Sequence, residues 1–269
     1  MNFYGLVGEK LTHSLSPQIH ERIFEELNIK GAYKLFEIPK DKISNLGDSV
    51  KILGIKGVNV TIPYKQVVME QLDYVSEEAK KIGAINTILL RNGKLYGYNT
   101  DYYGFGMMLN KKNIEVKNKV AVVLGNGGAS KAINTYFLDN DVKELYLVTR
   151  NKDNISFIDK NIKIIDYDEL KNISGDILVN TTPVGMYPKV GYSPVSVDII
   201  KNFNSIVDII YNPSLTEFLK IGKENNKVIC GGLYMLVGQA VKSQEIWQDL
   251  KINNEITDKI YLELSKNFE

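Results

Sequence analysis

Val120-Ala121-Val122-Val123-Leu124 is an unbroken apolar run, and Gly125-Asn126-Gly127-Gly128-Ala129-Ser130 follows it directly. Five apolar residues without polar alternation predict a strand buried on both faces, as in a parallel sheet covered by helices. The glycines predict a tight turn into a helix that carries Lys131, Ala132 and Ile133. A helix N-terminus reached through such a turn offers free backbone N–H groups and partial positive charge to a phosphate. Ser130 stands where the third glycine of a G-x-G-x-x-G turn is usual. Strand, turn and helix in that order make Gly125, Asn126, Gly127, Gly128 and Ala129 candidate dinucleotide contacts.

Apolar runs at residues 145–148, 162–165, 177–179, 206–210 and 228–229 supply further strands, spaced by helical or polar stretches. That rhythm predicts a doubly wound unit. Its second strand ends at Leu147-Val148-Thr149-Arg150-Asn151-Lys152, with no carboxylate to bond the ribose 2′-hydroxyl of NAD. Arg150 instead offers a planar donor fork to a 2′-phosphate, with Lys152 as a second cation and Thr149 as a neutral donor. NADP is the expected dinucleotide, and Asp153 is the nearby acid that keeps NAD in view.

The first hundred residues alternate strand patterns at 3–7, 33–38, 58–62 and 85–90 with helical ones. Ser16-Pro17 should open the first helix, Ser as N-cap and Pro at N1, with Gly31 closing the segment. Asn92-Gly93 is a hairpin signal, so one strand pair should be antiparallel and the sheet mixed. Residues 233–250 and 255–264 read as helices. The expected architecture is a two-domain α/β protein. A mixed-sheet substrate domain spans residues 1–102 and 236–269, so that the C-terminal helices return to it. A Rossmann-like NADP domain spans 103–235, with short crossings near 102 and 232–236 and a cleft between the two.

Asn59-Val60-Thr61-Ile62-Pro63-Tyr64-Lys65 predicts a strand that stops at its proline and turns Tyr64 and Lys65 toward an opening. Polar clusters at Asn86-Thr87 and Asn99-Thr100-Asp101 follow. Lys65 is therefore a candidate for chemistry rather than a solvated cation. His13 and His20 are rival acid–base groups by type; neither sits on this strand-end series, and both are expected to be structural or on a helix surface.

The 269 residues carry 33 Lys and Arg against 32 Asp and Glu, a net charge of +1 that offers no field for nucleic acid or an anionic membrane. A small-molecule substrate is expected. No apolar stretch is long enough to span a membrane, and the N-terminus lacks a basic leader. The single cysteine, Cys230, has no disulfide or metal partner and fits a cytoplasmic protein without a metal; beside Gly231 and Gly232 it is expected to be a small buried residue.

Ser14-Leu15-Ser16-Pro17 with His20, residues 59–65, Gly83-Ala84-Ile85-Asn86-Thr87, Asn99-Thr100-Asp101, the glycine turn, Asn180-Thr181-Thr182-Pro183-Val184-Gly185-Met186 and Gly232-Leu233-Tyr234-Met235-Leu236-Val237-Gly238-Gln239 occur in that order. Together they resemble the shikimate dehydrogenase family over essentially the whole chain. The resemblance implies NADP-linked, reversible reduction of 3-dehydroshikimate to shikimate, a step toward aromatic amino acids. It implies that Ser14 and Ser16 bind the substrate carboxylate, that Thr61, Lys65, Asn86 and Asp101 surround the ring hydroxyls, and that Tyr211 and Gln239 complete the pocket. Ile209 and Gly232 would lie near the nicotinamide, and Asn151 beside Arg150. Thr149-Arg150-Asn151 departs from the family's frequent Asn-Arg-Thr, and Asn126 and Tyr234 are less usual occupants.

A ring acid with several hydroxyls needs donors and acceptors in number, since each buried one left unpaired costs roughly 1–3 kcal/mol. Lys65 is the expected proton donor in the reductive direction, with Asp101 holding it and favouring its charged form while burial opposes that. Ordinary structural roles stand beside these: Ser14 and Ser16 as caps, Asn86 as a turn former, Asp101 as an N-cap. The rival readings are a quinate-oxidising relative with relaxed cofactor use and a non-catalytic shikimate sensor. The protein is expected to act as a monomer or homodimer.

Overall fold

The computed structural model describes residues 1–11, 14–152 and 159–268. The chain forms two compact units, Met1–Gly104 with Val237–Glu263, and Phe105–Leu236 with Leu264–Glu269.

The first unit contains β1 (Asn2–Gly8), α1 (Ser16–Glu26), β2 (Gly31–Glu37), α2 (Leu46–Leu53), β3 (Gly57–Val60), β4 (Tyr74–Val75), α3 (Glu77–Ile82), β5 (Thr87–Arg91) and β6 (Lys94–Tyr98), then the start of α4 (Thr100–Lys111). The sheet order is β2-β1-β3-β5-β6-β4. β1 pairs parallel with β2 and β3, whereas β5 pairs antiparallel with β3 and β6, so the sheet is mixed as expected. Asn92 and Gly93 both have positive φ (52° and 73°) between Arg91 and Lys94, the two-residue turn that their sequence announces. Val7, Val58, Val60, Ile85, Ile88 and Leu95 share one buried cluster.

Several local expectations give way to tertiary bonding. Ser16 is the first residue of α1, not its cap; Leu15 takes that position, and the Ser16 N–H donates to Ser14 Oγ at 3.2 Å. Gly31 opens β2 instead of closing the helix. β3 stops at Val60, and Tyr64 turns inward: it is 2% exposed and its hydroxyl donates to the Ile38 carbonyl. An aromatic ring that can bury its body and still satisfy its hydroxyl gains more inside than at an opening.

The second unit is a six-stranded, wholly parallel sheet of β7 (Val120–Leu124), β8 (Glu144–Val148), β9 (Ile162–Ile165), β10 (Gly175–Asn180), β11 (Phe203–Asp208) and β12 (Val228–Gly231). α5 (Gly128–Asp139), α6 (Val197–Lys201) and α7 (Glu217–Glu224) connect them. The spatial order β12-β11-β10-β7-β8-β9 reverses direction between β7 and β10, the switch point at which doubly wound sheets bind dinucleotides. Ala121, Val122, Val123 and Leu124 are all 0% exposed, which is why that run carries no polar residue. Cys230 is buried, and burial pushes its thiol up to about 12, so it is a packing residue.

The chain passes between units within α4 and again within α8 (Leu233–Gln248), not through short linkers. α9 (Asn254–Ser265) follows, and the tail from Leu264 groups with the second unit, where the Phe268 ring meets Tyr211 edge-on at 6.4 Å. No helix among the described residues is long and apolar enough to cross a membrane.

His20 in the first unit and Asp208 in the second are buried groups whose shifts bear on stability in acid. His20 is fully buried and stacks on Tyr33 with centroids 4.1 Å apart. Gln248 donates to Gln244 Oε1 at 3.0 Å, which leaves the Gln244 amide N–H to donate to His20 Nδ1 at 2.8 Å. Burial lowers the imidazole to about 3, so it stays neutral. Asp208, also 0% exposed, accepts from Asn180 Nδ2 (3.1 Å), the Ile210 N–H (3.0 Å) and Thr216 Oγ1 (2.8 Å). Burial nevertheless raises it to about 6, outweighing those three bonds.

The two have opposite signs in acid. Between pH 6.5 and 3 the unfolded chain protonates at His20 and the folded one does not, so acidification destabilises the fold. Between pH 6 and 3.8 the folded chain protonates at Asp208 before the unfolded one, so acidification stabilises it. Urea unfolding at pH 7.5 and 5 should therefore show a stability loss smaller than wild type by about 2 kcal/mol in His20→Phe. The same comparison should show a loss larger than wild type by about 1 kcal/mol in Asp208→Asn.

Candidate active-site residues in the two units

Three segments of the first unit converge through backbone and side-chain bonds. The Ile85 N–H donates to the Lys65 carbonyl at 2.8 Å, and Asn99 Nδ2 donates to the Ala84 carbonyl at 2.9 Å. This brings the 61–65 turn, the 84–87 entry to β5 and the start of α4 together. Asp101 occupies the first turn of α4, where the positive end of the helix favours a carboxylate.

Lys65 Nζ lies 2.5 Å from Asp101 Oδ2, with side-chain exposures of 17% and 13%. Asn86 Nδ2 donates to Asp101 Oδ1 at 2.9 Å. Both carboxylate oxygens thus accept from named donors. The arrangement holds an ammonium at the edge of the unit with protons to give, fixed by a charge that does not itself donate.

The remaining residues of the first unit expected in the site fall into place unevenly. Ser14 Oγ donates to Ser16 Oγ at 3.1 Å, so the two serines form one hydroxyl pair ahead of α1. Thr61 begins the turn that leads to Lys65, its carbonyl accepting from the Tyr64 N–H at 2.9 Å. Gln239 Oε1 on α8 lies 3.4 Å from Thr100 Oγ1, one residue from Asp101. His20 is withdrawn into the core, and His13 and Asp153 lie outside the described residues. Tyr211 belongs to the second unit, just past β11, half-buried beside Phe268.

Sequence reasoning missed what lies beneath this cluster. Tyr33, Asn59, Thr87, Thr100 and Ser243 form a buried hydrogen-bonded group, with Asn59 Nδ2 donating to Thr87 Oγ1 (3.0 Å) and Ser243 Oγ (2.9 Å). Asn59 and Thr87 stand inside motifs read from the sequence, so their polar character in apolar runs was the available signal. Ser243, 184 positions from Asn59, gave none.

In the second unit, Gly125 has φ +99° and its N–H donates to the Val148 carbonyl at 2.9 Å. A Cβ there would lie 2.8 Å from Thr182 Cγ2, so only glycine fits the turn. Thr181 Oγ1 donates to the Leu124 carbonyl at 2.7 Å, bracing the turn from the neighbouring strand end. Asn126, Gly127 and Gly128 are exposed, and a Cβ on either glycine would meet nothing within 4 Å, so the turn is clear of other side chains there. Ala129 continues the first turn of α5. Ser130 is buried and donates to the Gly127 carbonyl at 2.8 Å, a small residue serving where a third glycine is usual.

Thr149 Oγ1 accepts from the Asn151 N–H at 3.3 Å and shapes the turn after β8. Arg150 is exposed and has no hydrogen-bond or ion-pair partner among the described residues. Lys152 differs: it is paired with Glu169 and, at 3.3 Å, with Asp166, so its charge is already answered within the fold. Ile209 and Gly232 are brought together, since a Cβ on Gly232 would lie 2.0 Å from the Ile209 carbonyl oxygen. The open glycine turn and Arg150, without a partner among the described residues, have the chemistry to receive a dinucleotide phosphate and a ribose phosphate respectively.

The chain is similar along its length to known proteins of one family. The family model described as the shikimate dehydrogenase substrate binding domain matches residues 6–88. A protein of Clostridium beijerinckii named shikimate dehydrogenase (NADP(+)) is 59% identical over 270 residues, covering 100% of both chains. Among solved structures, shikimate dehydrogenase 1 from Peptoclostridium difficile is 61% identical with a TM-score of 0.92, covering 100% of this chain and 99% of that one. A shikimate 5-dehydrogenase from Thermus thermophilus, solved in complex with NADP(H) and shikimate, has a TM-score of 0.88 at 28% identity, covering 98% of this chain and 99% of that one. The chain belongs to the shikimate dehydrogenase family.

Proposed function

We propose that this chain catalyses the reversible, NADP-linked interconversion of 3-dehydroshikimate and shikimate, with Lys65 and Asp101 in proton transfer. The observation that carries the reading is the Lys65–Asp101–Asn86 cluster, an ammonium held 2.5 Å from a carboxylate and still partly exposed. When bound, NADPH supplies the hydride that reduces the substrate carbonyl carbon. Lys65 gives a proton to the carbonyl oxygen as negative charge develops there, and takes it back when shikimate is oxidised. Asp101 keeps the amine in place.

Ser14 and Ser16 bind the carboxylate of the ring acid through their hydroxyls. Thr61, Asn86, Tyr211 and Gln239 answer its hydroxyl groups, each having donors and acceptors to offer. Gly125, Asn126, Gly127, Gly128 and Ala129 hold the pyrophosphate. Arg150 binds the 2′-phosphate, with Thr149 and Asn151 beside it, and Ile209 and Gly232 flank the nicotinamide. The substrate domain comprises residues 1–102 and 236–269 and the NADP domain 103–235. The protein works in the cytoplasm as a monomer or homodimer.

Shikimate-dependent NADPH formation, followed at 340 nm with shikimate and quinate against NADP and NAD, tests the reading. Turnover should be highest with shikimate and NADP. Lys65→Ala and Asp101→Ala should each lower kcat by roughly 100-fold or more while keeping the far-UV spectrum of the fold; full turnover in both would refute their roles. Arg150→Ala should raise the KM for NADP roughly tenfold or more, the value of a charge-assisted bond, and leave that for NAD nearly unchanged. Equal effects on the two nucleotides would remove Arg150 from the 2′-phosphate.

A further inference from the structure

The buried group beneath Asn86 has a hydrogen-bond direction that leads from Tyr33 to the Asn86 amide. Tyr33, Asn59, Thr87, Thr100 and Ser243 are 6%, 5%, 0%, 0% and 0% exposed, so none has bulk water as an alternative partner. The Tyr33 hydroxyl stands 2.8 Å from Asn59 Oδ1, an atom that only accepts, so Tyr33 donates. Burial drives the Tyr33 phenol well above its ordinary range, which keeps that proton in place. The Asn59 amide is thereby oriented, and its two N–H groups point to Thr87 Oγ1 (3.0 Å) and Ser243 Oγ (2.9 Å).

Both hydroxyls accept there and must send their own single protons elsewhere. Ser243 donates to the Gln239 carbonyl one turn back on α8, at 2.9 Å. Thr87, whose hydroxyl also lies 3.0 Å from Ser243 Oγ and 3.1 Å from Thr100 Oγ1, donates to Asn86 Oδ1 at 3.0 Å, an oxygen that only accepts. The same oxygen takes the Thr100 N–H at 2.7 Å and lies 3.1 Å from the Thr100 hydroxyl. With its oxygen so surrounded, Asn86 has only its N–H₂ to present to Asp101.

We propose that Tyr33, Asn59 and Thr87 form a one-way hydrogen-bond chain, with Ser243 as a side branch that ties Asn59 to α8, and that this chain positions Asn86 and, through it, sets the Asp101 carboxylate against Lys65. They are positioning residues. Each passes a proton direction to the next, from Tyr33 on β2 through β3 and β5 to the start of α4, and α8 closes the group through Ser243. Buried polar networks of this kind are rigid while every member is satisfied and lose that rigidity when one hydroxyl is removed. The inference rests on the catalytic reading of Lys65 and Asp101 given above.

The test uses the full chain and steady-state shikimate oxidation with NADP, comparing wild type with Thr87→Val, Thr87→Ser and Tyr33→Phe. Valine keeps the shape of threonine and removes its hydroxyl; serine restores the hydroxyl without the methyl. Misplacement of a reacting group by about 1 Å costs up to about 100-fold, so Thr87→Val should lower kcat about tenfold or more with the KM for shikimate within about threefold. Thr87→Ser should recover kcat to within about twofold of wild type, and Tyr33→Phe should lower kcat by about threefold or more with the same sparing of KM.

Wild-type kcat in a folded Thr87→Val or Tyr33→Phe, losses confined to KM, or no recovery in Thr87→Ser would each overturn the positioning role. If Thr87→Val does not fold, Tyr33→Phe decides alone, since it removes one oxygen from a ring that stays stacked on His20. A wild type inactive on shikimate with NADP would instead overturn the reaction assigned to the chain, and the positioning role with it.

Discussion

The side-chain amide of Asn86 has one oxygen and two N–H groups, and the first unit gives each a fixed address. Three donors, two from hydroxyls and one from the Thr100 backbone, crowd the oxygen. The amide nitrogen then reaches Asp101, whose other oxygen holds Lys65. This single orientation joins the entry to β5, the start of α4 and the turn after β3. If the amide were rotated by half a turn, its N–H₂ would face other donors and its oxygen would face a carboxylate. Burial makes either mismatch costly, and so the entry to β5, the helix start and the lysine turn are held in one mutual arrangement.

The second unit, among the described residues, leaves donors without partners at the glycine turn and at Arg150. Gly127 and Gly128 keep their surroundings clear of side chains, and Arg150 has no partner among the described residues. Lys152, two positions further on, is committed to Glu169 and Asp166. A cation already balanced within its own fold would have to give up those partners before it could serve a phosphate, which makes it a poor recruit for binding. Geometry thus separates two basic residues that look alike in sequence.

Much of the architecture was legible in the sequence because it follows from short-range rules. The apolar run 120–124 announced a strand with two covered faces, the glycines after it a turn into a helix, and Asn92-Gly93 the reversal between β5 and β6. Lys65, Asn86 and Asp101 were legible as a series of polar residues at element ends. What stayed hidden depends on contacts between distant positions. Tyr64 faces inward, against its local signal, because the Ile38 carbonyl supplies a buried partner for its hydroxyl. Ser16 lost the capping position because Ser14 reaches its N–H. The group of Tyr33, Asn59, Thr87 and Ser243 draws on four elements, and no spacing rule links a serine near residue 240 to an asparagine near 60.

Gly232 carries one further implication for anyone wishing to reshape the pocket. Any side chain there would collide with main-chain atoms of Ile209, at 2.0 Å from the carbonyl oxygen and 2.3 Å from its carbon, and a peptide backbone cannot swing aside as a flexible side chain can. Saturation libraries at this codon would return only the parent sequence or broken protein. Variation at this contact has its freedom at Ile209 instead, whose side chain is only half-buried.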